Sequence, residues 1–344
     1  MKILIAASNM VHINNFHRPY INEFREAGHD VYIMAGGEGA DFNIPFKKRS
    51  LSVKNLRLSA KIKKIIKKEQ FDVIYLHTTL AAFWIRFAIK GLKKRPIVVN
   101  TVHGYLFGKG FSSLHNKIYL MCEKMMRRVT DDIVVMNDED FKIAKENNLA
   151  LGEIYKIDGM GIDFSKKNIE KASPSHPPRN LVYVGELNKR KNQIFLVKAM
   201  KKLPDMKLML VGDGKERKAI EKYIKKEGLD ERVKITGFTK NVGEYLKSAD
   251  LYVSASTIEG LPFNILEAME AGLPIVATNI KGQADVLTSE CLYEPDDMDS
   301  FVALVNSKKN ESYDLLKYTL SVALYKNLDV YSLCAGLPAH TKNI

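Results

Sequence analysis

Short, nearly unbroken apolar runs alternate with helix-period stretches along most of this chain. That alternation limits the fold more than any other feature of the sequence. In the first half the runs are Lys2–Ala7, Asp30–Ala35, Asp72–His77, Pro96–Thr101, Asp132–Met136 and Ile154–Ile157. The helical patterns between them cover Phe16–Glu26, Ser59–Lys68, Ala81–Lys90, Asn116–Arg128 and Glu139–Asn147. The second half repeats the scheme, with strands at Asn180–Val184, Lys207–Val211, Val233–Ile235, Leu251–Ser254 and Pro274–Ala277. Its helices fall at Gln193–Lys202, Lys215–Glu227, Val242–Lys247 and Phe263–Ala271. A strand apolar on both faces must be covered on both faces, and crossover helices supply the cover, so the sheets are parallel. Two such halves predict an α/β chain of two doubly wound, Rossmann-like domains. A length of 344 residues suits about two domains.

The boundary is marked by composition. Residues 165–178 carry Lys166, Lys167, Ser173, Pro174, Ser175, Pro177 and Pro178 with few apolar side chains, which is linker composition. We therefore expect domains at 1–164 and 179–344, with the tail 301–344 packing back on the first. That tail shows one helical pattern near Leu315–Lys326. Open parallel sheets hold ligands outside the carboxyl ends of their strands, so two of them facing across a cleft would place the chemistry in the loops after strands.

Other features exclude whole classes. Cys122, Cys291 and Cys334 are widely spaced and form no Cys-x-x-Cys, so neither a zinc ribbon nor a disulfide framework is expected, and a reducing compartment fits. The run Ile3–Ala7 is too short for a signal peptide's core. No stretch reaches ~18 apolar residues; the most apolar, Leu80–Leu92, is interrupted by Arg86 and Lys90. The expected location is the cytoplasm. A net charge of +13 calls for an anionic partner.

The segment 251–274 carries the most information. A strand from Leu251 leads into a loop holding Glu259, then Gly260, Leu261, Pro262 and a short helix from Phe263 that carries Asn264, Ile265 and Glu267 and ends at Gly272 and Pro274. Amides at a helix start favour an anion by ~0.3–1 kcal/mol when exposed. One carboxylate thus stands before a phosphate-ready helix end and another behind it, eight positions on, each able to accept hydrogen bonds from sugar hydroxyls.

This Glu-x7-Glu pattern, inside Ser-x-x-Glu-Gly-x-Pro and Glu-Ala-Met-x-Ala-Gly-x-Pro, resembles the retaining GT-B glycosyltransferases of the family 4 type, in the branch that builds capsules and exopolysaccharides. The resemblance implies that Glu259 and Gly260, Leu261, Pro262 and Phe263 hold the transferred sugar. The amides of Asn264 and Ile265 would face the diphosphate, and Glu267 the ribose. It implies front-face displacement without an enzyme nucleophile, metal or cofactor. After the first strand of the second domain the family usually shows Gly-Arg-Leu; this chain has Gly185-Glu186-Leu187, which leaves Arg190 and Lys191 to neutralise the diphosphate. Gly212 and Phe238 lie in loops that in the family contact base and ribose. His103, just past a strand, falls where the family places a histidine beside the donor sugar, so His103, Glu259 and Lys191 are the catalytic candidates. His12, Asn14, Asn15 and His17 follow the first strand; they either face the acceptor or cap a helix beginning at Phe16. Asp138-Glu139-Asp140 reads as a helix N-terminus rather than a metal motif.

Residues 47–68 hold ten Lys or Arg and no acid. Lys61, Lys63, Lys64, Lys67 and Lys68 surround a stripe of isoleucines there and are expected to face anionic lipid, at ~1 kcal/mol each near such a surface. A second cluster is Lys90, Lys93, Lys94 and Arg95. The expectation is a transfer from a nucleotide sugar, of the UDP type, to a lipid-linked glycan at the inner face of the plasma membrane. The alternatives are a GT-B nucleotide-sugar epimerase and a non-catalytic basic protein that binds nucleic acid. Against the last, aromatics are not interleaved with the bases as stacking platforms require.

Overall fold

The computed structural model describes residues 1–47, 53–167, 169–308 and 312–338. It divides into two units, Met1–Gly161 with Ser321–Ile344, and Ile162–Leu320. The last helix, but for its first residue, thus belongs to the first unit, and Ile162–Leu320, the expected linker included, to the second.

The first unit is built on a parallel sheet of β1 (Lys2–Ala6), β2 (Asp30–Ala35), β3 (Phe42–Asn43), β4 (Val73–His77), β5 (Ile97–Val102), β6 (Asp132–Val135) and β7 (Ile154–Lys156). Their order is β3-β2-β1-β4-β5-β6-β7, so the sheet switches direction between β1 and β4. Helices α1 (Met10–Phe16), α2 (Arg18–Glu26), α3 (Val53–Glu69), α4 (Thr79–Ile89), α5 (Ser113–Met126) and α6 (Asp138–Glu146) connect the strands. Leu4, Ala6, Ile74 and Leu76 pack one face against Ile62, Ile66 and Ile85. On the other face Tyr75 stacks on Phe24 of α2, with ring centroids 5.5 Å apart. Arg86, which interrupts the most apolar stretch, is fully buried in α4 and makes a two-pronged pair with Glu123 at 2.9 and 3.0 Å.

The second sheet contains β8 (Asn180–Val184), β9 (Lys207–Val211), β10 (Val233–Gly237), β11 (Leu251–Val253), β12 (Ile275–Thr278) and β13 (Leu292–Tyr293), in the order β10-β9-β8-β11-β12-β13. Its helices are α7 (Gln193–Ala199), α8 (Arg217–Lys226), α9 (Gly243–Lys247), α10 (Phe263–Glu270) and α11 (Met298–Ser307). Alternate residues of β8 enter different cores, Leu181 and Tyr183 one, Val182 and Val184 the other. Both faces are therefore covered, as the apolar runs require.

Three expectations are corrected. The helix placed at Phe16–Glu26 begins earlier: Asn9 accepts from the His12 amide and caps α1, and α2 follows directly from Arg18. The stretch 165–178 is not a free linker. Ser175, Arg179 and Asn180 amides all donate to the buried Asp250 carboxylate, and Ala172 donates to the Ala271 carbonyl. The final helix, α12 (Leu320–Cys334), starts five residues later than Leu315 and runs eight beyond Lys326.

Candidate functional site

In the second unit the loops after β8, β9 and β11 come together. Gly185 and Gly212 end adjacent strands, and a Cβ on Gly212 would stand 2.0 Å from the Gly185 carbonyl oxygen. Only glycine lets the two loops run backbone to backbone there. Their pairing continues past the strands, with the Gly185 amide on Val211 O at 2.9 Å and the Leu187 amide on Asp213 O at 2.9 Å.

Glu259 is 6% exposed and meets two cations from the loop after β8. Lys191 Nζ lies 2.5 Å from Oε1, and Arg190 Nη1 lies 3.0 Å from Oε2. Arg190 also donates to the Ile258 carbonyl at 2.9 Å, and the Thr257 amide returns a bond to the Arg190 carbonyl at 2.8 Å. A buried carboxylate is costly unless paired and hydrogen-bonded, and here it is both. One acid with two bases leaves a net positive charge on this loop, which an anion such as a phosphate would complement.

Beneath this loop lies a buried polar layer. Gln283 Nε2 donates to Ser254 Oγ at 2.8 Å, Thr278 Oγ1 donates to the Ser256 carbonyl at 2.6 Å, and Tyr293 Oη donates to the Ser254 carbonyl at 3.0 Å. These residues fix the path of 254–258 and so aim Glu259. Sequence reasoning missed them, although polar residues set directly after apolar strands were the available signal.

Asn264 ties the start of α10 to the end of β8, donating to Val184 O at 2.9 Å and to Tyr252 Oη at 2.6 Å. The Ile265 amide, expected to face a diphosphate, donates to the Pro262 carbonyl at 3.0 Å, and its side chain is core. Leu261 and Phe263 are half-buried against the same core. Glu267 is buried and paired with Lys167 Nζ at 2.9 Å. Gly260 shares the turn with Glu259. Phe238, after β10, is 78% exposed and projects as an open ring.

In the first unit, His12 and His17 lie on and after α1, and His103 lies just past β5. They are joined by His77 at the end of β4, which sequence reading passed over. His77 Nδ1 is 3.2 Å from His103 Nε2, the His17 and His77 rings are 3.8 Å apart, and those of His12 and His103 are 4.7 Å apart. Burial lowers all four: His12 to about 4, the other three well below the ordinary histidine value, with neighbouring imidazoles adding to the effect. Asn14 and Asn15 are exposed, and Asn14 accepts from Arg18 Nε at 2.9 Å. The acids at 138–140 are already engaged: Asn137 caps α6 through the Asp140 amide, Asp140 accepts from the Tyr105 amide, Glu139 from the Lys109 amide, and Asp138 pairs with Lys156.

Of the basic run, residues 48–52 lie outside the described ones. In α3, Lys61, Lys64, Lys67 and Lys68 are exposed and Lys63 is half-buried. Lys63 and Lys67 line a groove of about 670 Å³ together with Lys93, Lys94 and Arg95, so the two basic clusters form one surface.

Comparison with known proteins agrees in both halves of the chain. Residues 165–318 match the family model described as glycosyl transferases group 1, and residues 2–137 match that described as glycosyl transferase 4-like. Both halves of the chain thus match glycosyltransferase models. It is 29% identical over 312 residues to a Bacillus subtilis protein that carries the glycosyltransferase name EpsD, covering 83% of this chain and 81% of that one. It is 27% identical over 288 residues, 76% of this chain and 72% of that one, to the Escherichia coli UDP-Gal:alpha-D-GlcNAc-diphosphoundecaprenol alpha-1,3-galactosyltransferase. Among solved structures, HepE of Anabaena in complex with UDP and glucose superposes with a TM-score of 0.67 at 20% identity, covering 97% of this chain and 95% of that one. The lipopolysaccharide outer core galactosyltransferase WaaB superposes at 0.71 and 17%, covering 97% and 100%. Two Rossmann-like sheets of this topology are the GT-B fold.

Proposed function

We propose that this glycosyltransferase moves a sugar, with retention at the anomeric carbon, from a UDP-sugar to a lipid-linked glycan during capsular or exopolysaccharide assembly. The observation that carries the reading is the buried Glu259 held by Lys191 and Arg190, with Glu267 one helix away. The name of the Escherichia coli relative specifies UDP-Gal, a diphosphoundecaprenol acceptor and an alpha-1,3 linkage. HepE has been captured with UDP and with UDP-glucose. Both support the choice of donor, and the first supports the acceptor.

On this reading, donor binding is an exchange of partners. The diphosphate takes Arg190 and Lys191, whose positive charge stabilises it as leaving group. Glu259 turns to a hydroxyl of the sugar, and Gly260, Leu261, Pro262 and Phe263 shape the sugar's bed. Glu267 accepts from the ribose, the amide of Asn264 at the start of α10 faces the diphosphate, and Gly185, Gly212 and Phe238 border the nucleoside. The acceptor hydroxyl attacks the anomeric carbon on the face the diphosphate leaves. The bond from that carbon to the phosphate oxygen breaks, and the acceptor's proton passes to the departing phosphate oxygen. No metal or covalent intermediate enters the step. We assign His103 to the donor sugar, and His12, Asn14, Asn15 and His17 to the acceptor side.

Peripheral membrane binding belongs to the same proposal. It rests on the basic surface of α3 and residues 93–95, and on α5, where Leu114, Ile118, Met121 and Met125 are exposed on one face beside Lys117 and Lys124. No helix of the described residues is long and apolar enough to cross a membrane.

Glu259→Gln tests the transfer reading. Turnover of UDP-sugar with a polyprenyl-diphosphate glycan should fall at least 100-fold, by analogy with loss of one positioned polar group in a transition state, with the circular dichroism spectrum unchanged. Full turnover by the variant would remove Glu259 from the reaction. Incubating donor alone and finding an epimer would return the epimerase reading, which the similar proteins do not favour.

A further inference from the structure

The histidine cluster of the first unit carries chemistry that sugar transfer does not use. One ring nitrogen from each of His12, His17 and His103 lies within 4.8 Å of the other two. The Nε2 atoms of His12 and His17 are buried and have no hydrogen-bond partner among the described residues, and His17 is only 1% exposed. An unpaired buried nitrogen costs roughly 1–3 kcal/mol, so a structure that holds two of them in one spot calls for a partner. Neutral imidazole is acceptor as well as donor, so the open Nε2 atoms of His12 and His17 can each offer a lone pair. Converging neutral imidazole lone pairs suit a borderline-soft divalent metal better than any anion.

We propose that His12, His17 and His103 form a binding site for a divalent transition metal of the zinc class. Three histidines are the protein ligand set of an open tetrahedral site, in which metal–nitrogen distances of about 2.0–2.1 Å put the nitrogens roughly 3.3 Å apart. Contracting from 4.8 Å or less requires ring rotations of about 1 Å at each nitrogen. His12 and His103 are half-buried and His17 is buried. His77 is the positioning residue. Its Nδ1, 3.2 Å from His103 Nε2, fixes which His103 nitrogen is left for the metal, the usual role of an outer hydrogen-bond partner. The four rings come from α1 and the residue after it and from the ends of β4 and β5, beside the place where the sheet switches direction, so the metal would pin α1 to the carboxyl ends of those strands. The site shares His103 with the proposed donor contact. Metal binding stands apart from that reading, and only an inhibition of transfer by the metal would rest on it.

The test is titration of the whole metal-free protein with Co²⁺, followed by visible absorption between 500 and 700 nm, then displacement by Zn²⁺. The expected result is one equivalent of Co²⁺ with the intense bands of four-coordinate cobalt, bleached by one equivalent of Zn²⁺. His12→Gln and His103→Gln should each weaken Co²⁺ affinity by about 100-fold or more, since even outer partners of metal ligands are worth 10–100-fold. His17→Asn is kept as a third variant because its burial risks the fold; the half-exposed His12 keeps the test decisive. Absence of saturable Co²⁺ binding, or six-coordinate spectra, overturns the proposal. So does affinity unchanged in both His12→Gln and His103→Gln, which would place the metal on exposed histidines elsewhere. A result in which Zn²⁺ binds at this site without slowing transfer keeps the metal site and removes His103 from the donor reading.

Discussion

Lys191 and Glu259 allow a double-mutant cycle whose outcome is fixed by their burial. Their side chains are 11% and 6% exposed, with 2.5 Å between charges. Removing one partner of a buried pair costs about 3–5 kcal/mol, because the other charge stays buried and unpaired. In Lys191→Met the carboxylate keeps Arg190 at 3.0 Å, but that guanidinium is 44% exposed and only partly compensates. The low end, about 3 kcal/mol, is expected. Glu259→Gln leaves Lys191 without its acid, and snorkelling of the ammonium relieves part of the cost, giving about 2 kcal/mol. The double variant has neither charge, so its destabilisation should fall short of the sum by about 2 kcal/mol. For units of this size, 3 kcal/mol corresponds to a midpoint shift of roughly 6–12 °C. Thermal and urea unfolding followed by far-ultraviolet circular dichroism measure all four proteins. Effects that add within about 0.5 kcal/mol would show that the two side chains do not share a buried pair, and the partner-exchange account of donor binding would lose its starting state.

Three shorter expectations follow. At Gly282 φ is +81°, and a Cβ would lie 2.1 Å from the Gly260 carbonyl oxygen; Gly282→Ala should displace the Glu259 turn, cost ~1–2 kcal/mol for the left-handed backbone alone, and cut UDP-sugar turnover more than it cuts stability, so unaltered turnover would refute the contact. The four clustered histidines have folded values below their ordinary 6.5, so the unfolded chain takes up protons first. Their contribution to stability is complete above about 6.5 and declines as pH falls toward about 4, the value for His12; urea midpoints at pH 7.5 and 5 should differ, and less so in His12→Gln, whereas a flat profile would refute the burial. Replacing Lys61, Lys64, Lys67 and Lys68 by Glu should release the protein from vesicles containing anionic lipid, measured by co-sedimentation; retained binding would shift the membrane contact to Ile118 and Met121 of α5.

The strands were legible because each is buried on both faces and therefore apolar at every position. What escaped was set by contacts distant in sequence. In α12, Asn327 Nδ2 donates to Tyr20 Oη and to the Gly159 carbonyl, both at 2.7 Å, and the Tyr331 carbonyl accepts from Tyr75 Oη at 2.7 Å. Those bonds span between 168 and 307 residues, and no local pattern announces them. Likewise α1 begins in a polar stretch with only Met10 and Ile13 buried, too short for a helical period to emerge. His77 ends an apolar run and reads as one more core position until His103 is found 3.2 Å away. Glu259 and Glu267 stood out in the sequence because their loop and helix carry a spacing that resembles a family's, and the structure finds both buried and ion-paired. Their partners were only half legible: Lys191 and Arg190 stood out as bases near a glycine turn, but nothing 68 residues upstream says that they grip Glu259.

Position 186 is a glutamate where the resemblance leads one to expect an arginine, and its surroundings show what it does in this chain. Glu186 is exposed, and its carboxylate accepts from the Asn188 amide group at 3.0 Å, within its own loop. It therefore adds no charge to the buried wall. Arg190, four residues on, sends its guanidinium to Glu259 and the Ile258 carbonyl. The carbonyl of Glu186 accepts from Gln193 Nε2 at 2.8 Å. With Lys191 beside it, Arg190 keeps two positive charges within reach of one acid. The Glu186 side chain thus takes no part in the grip, and the two cations on the one buried acid both come from the end of the loop.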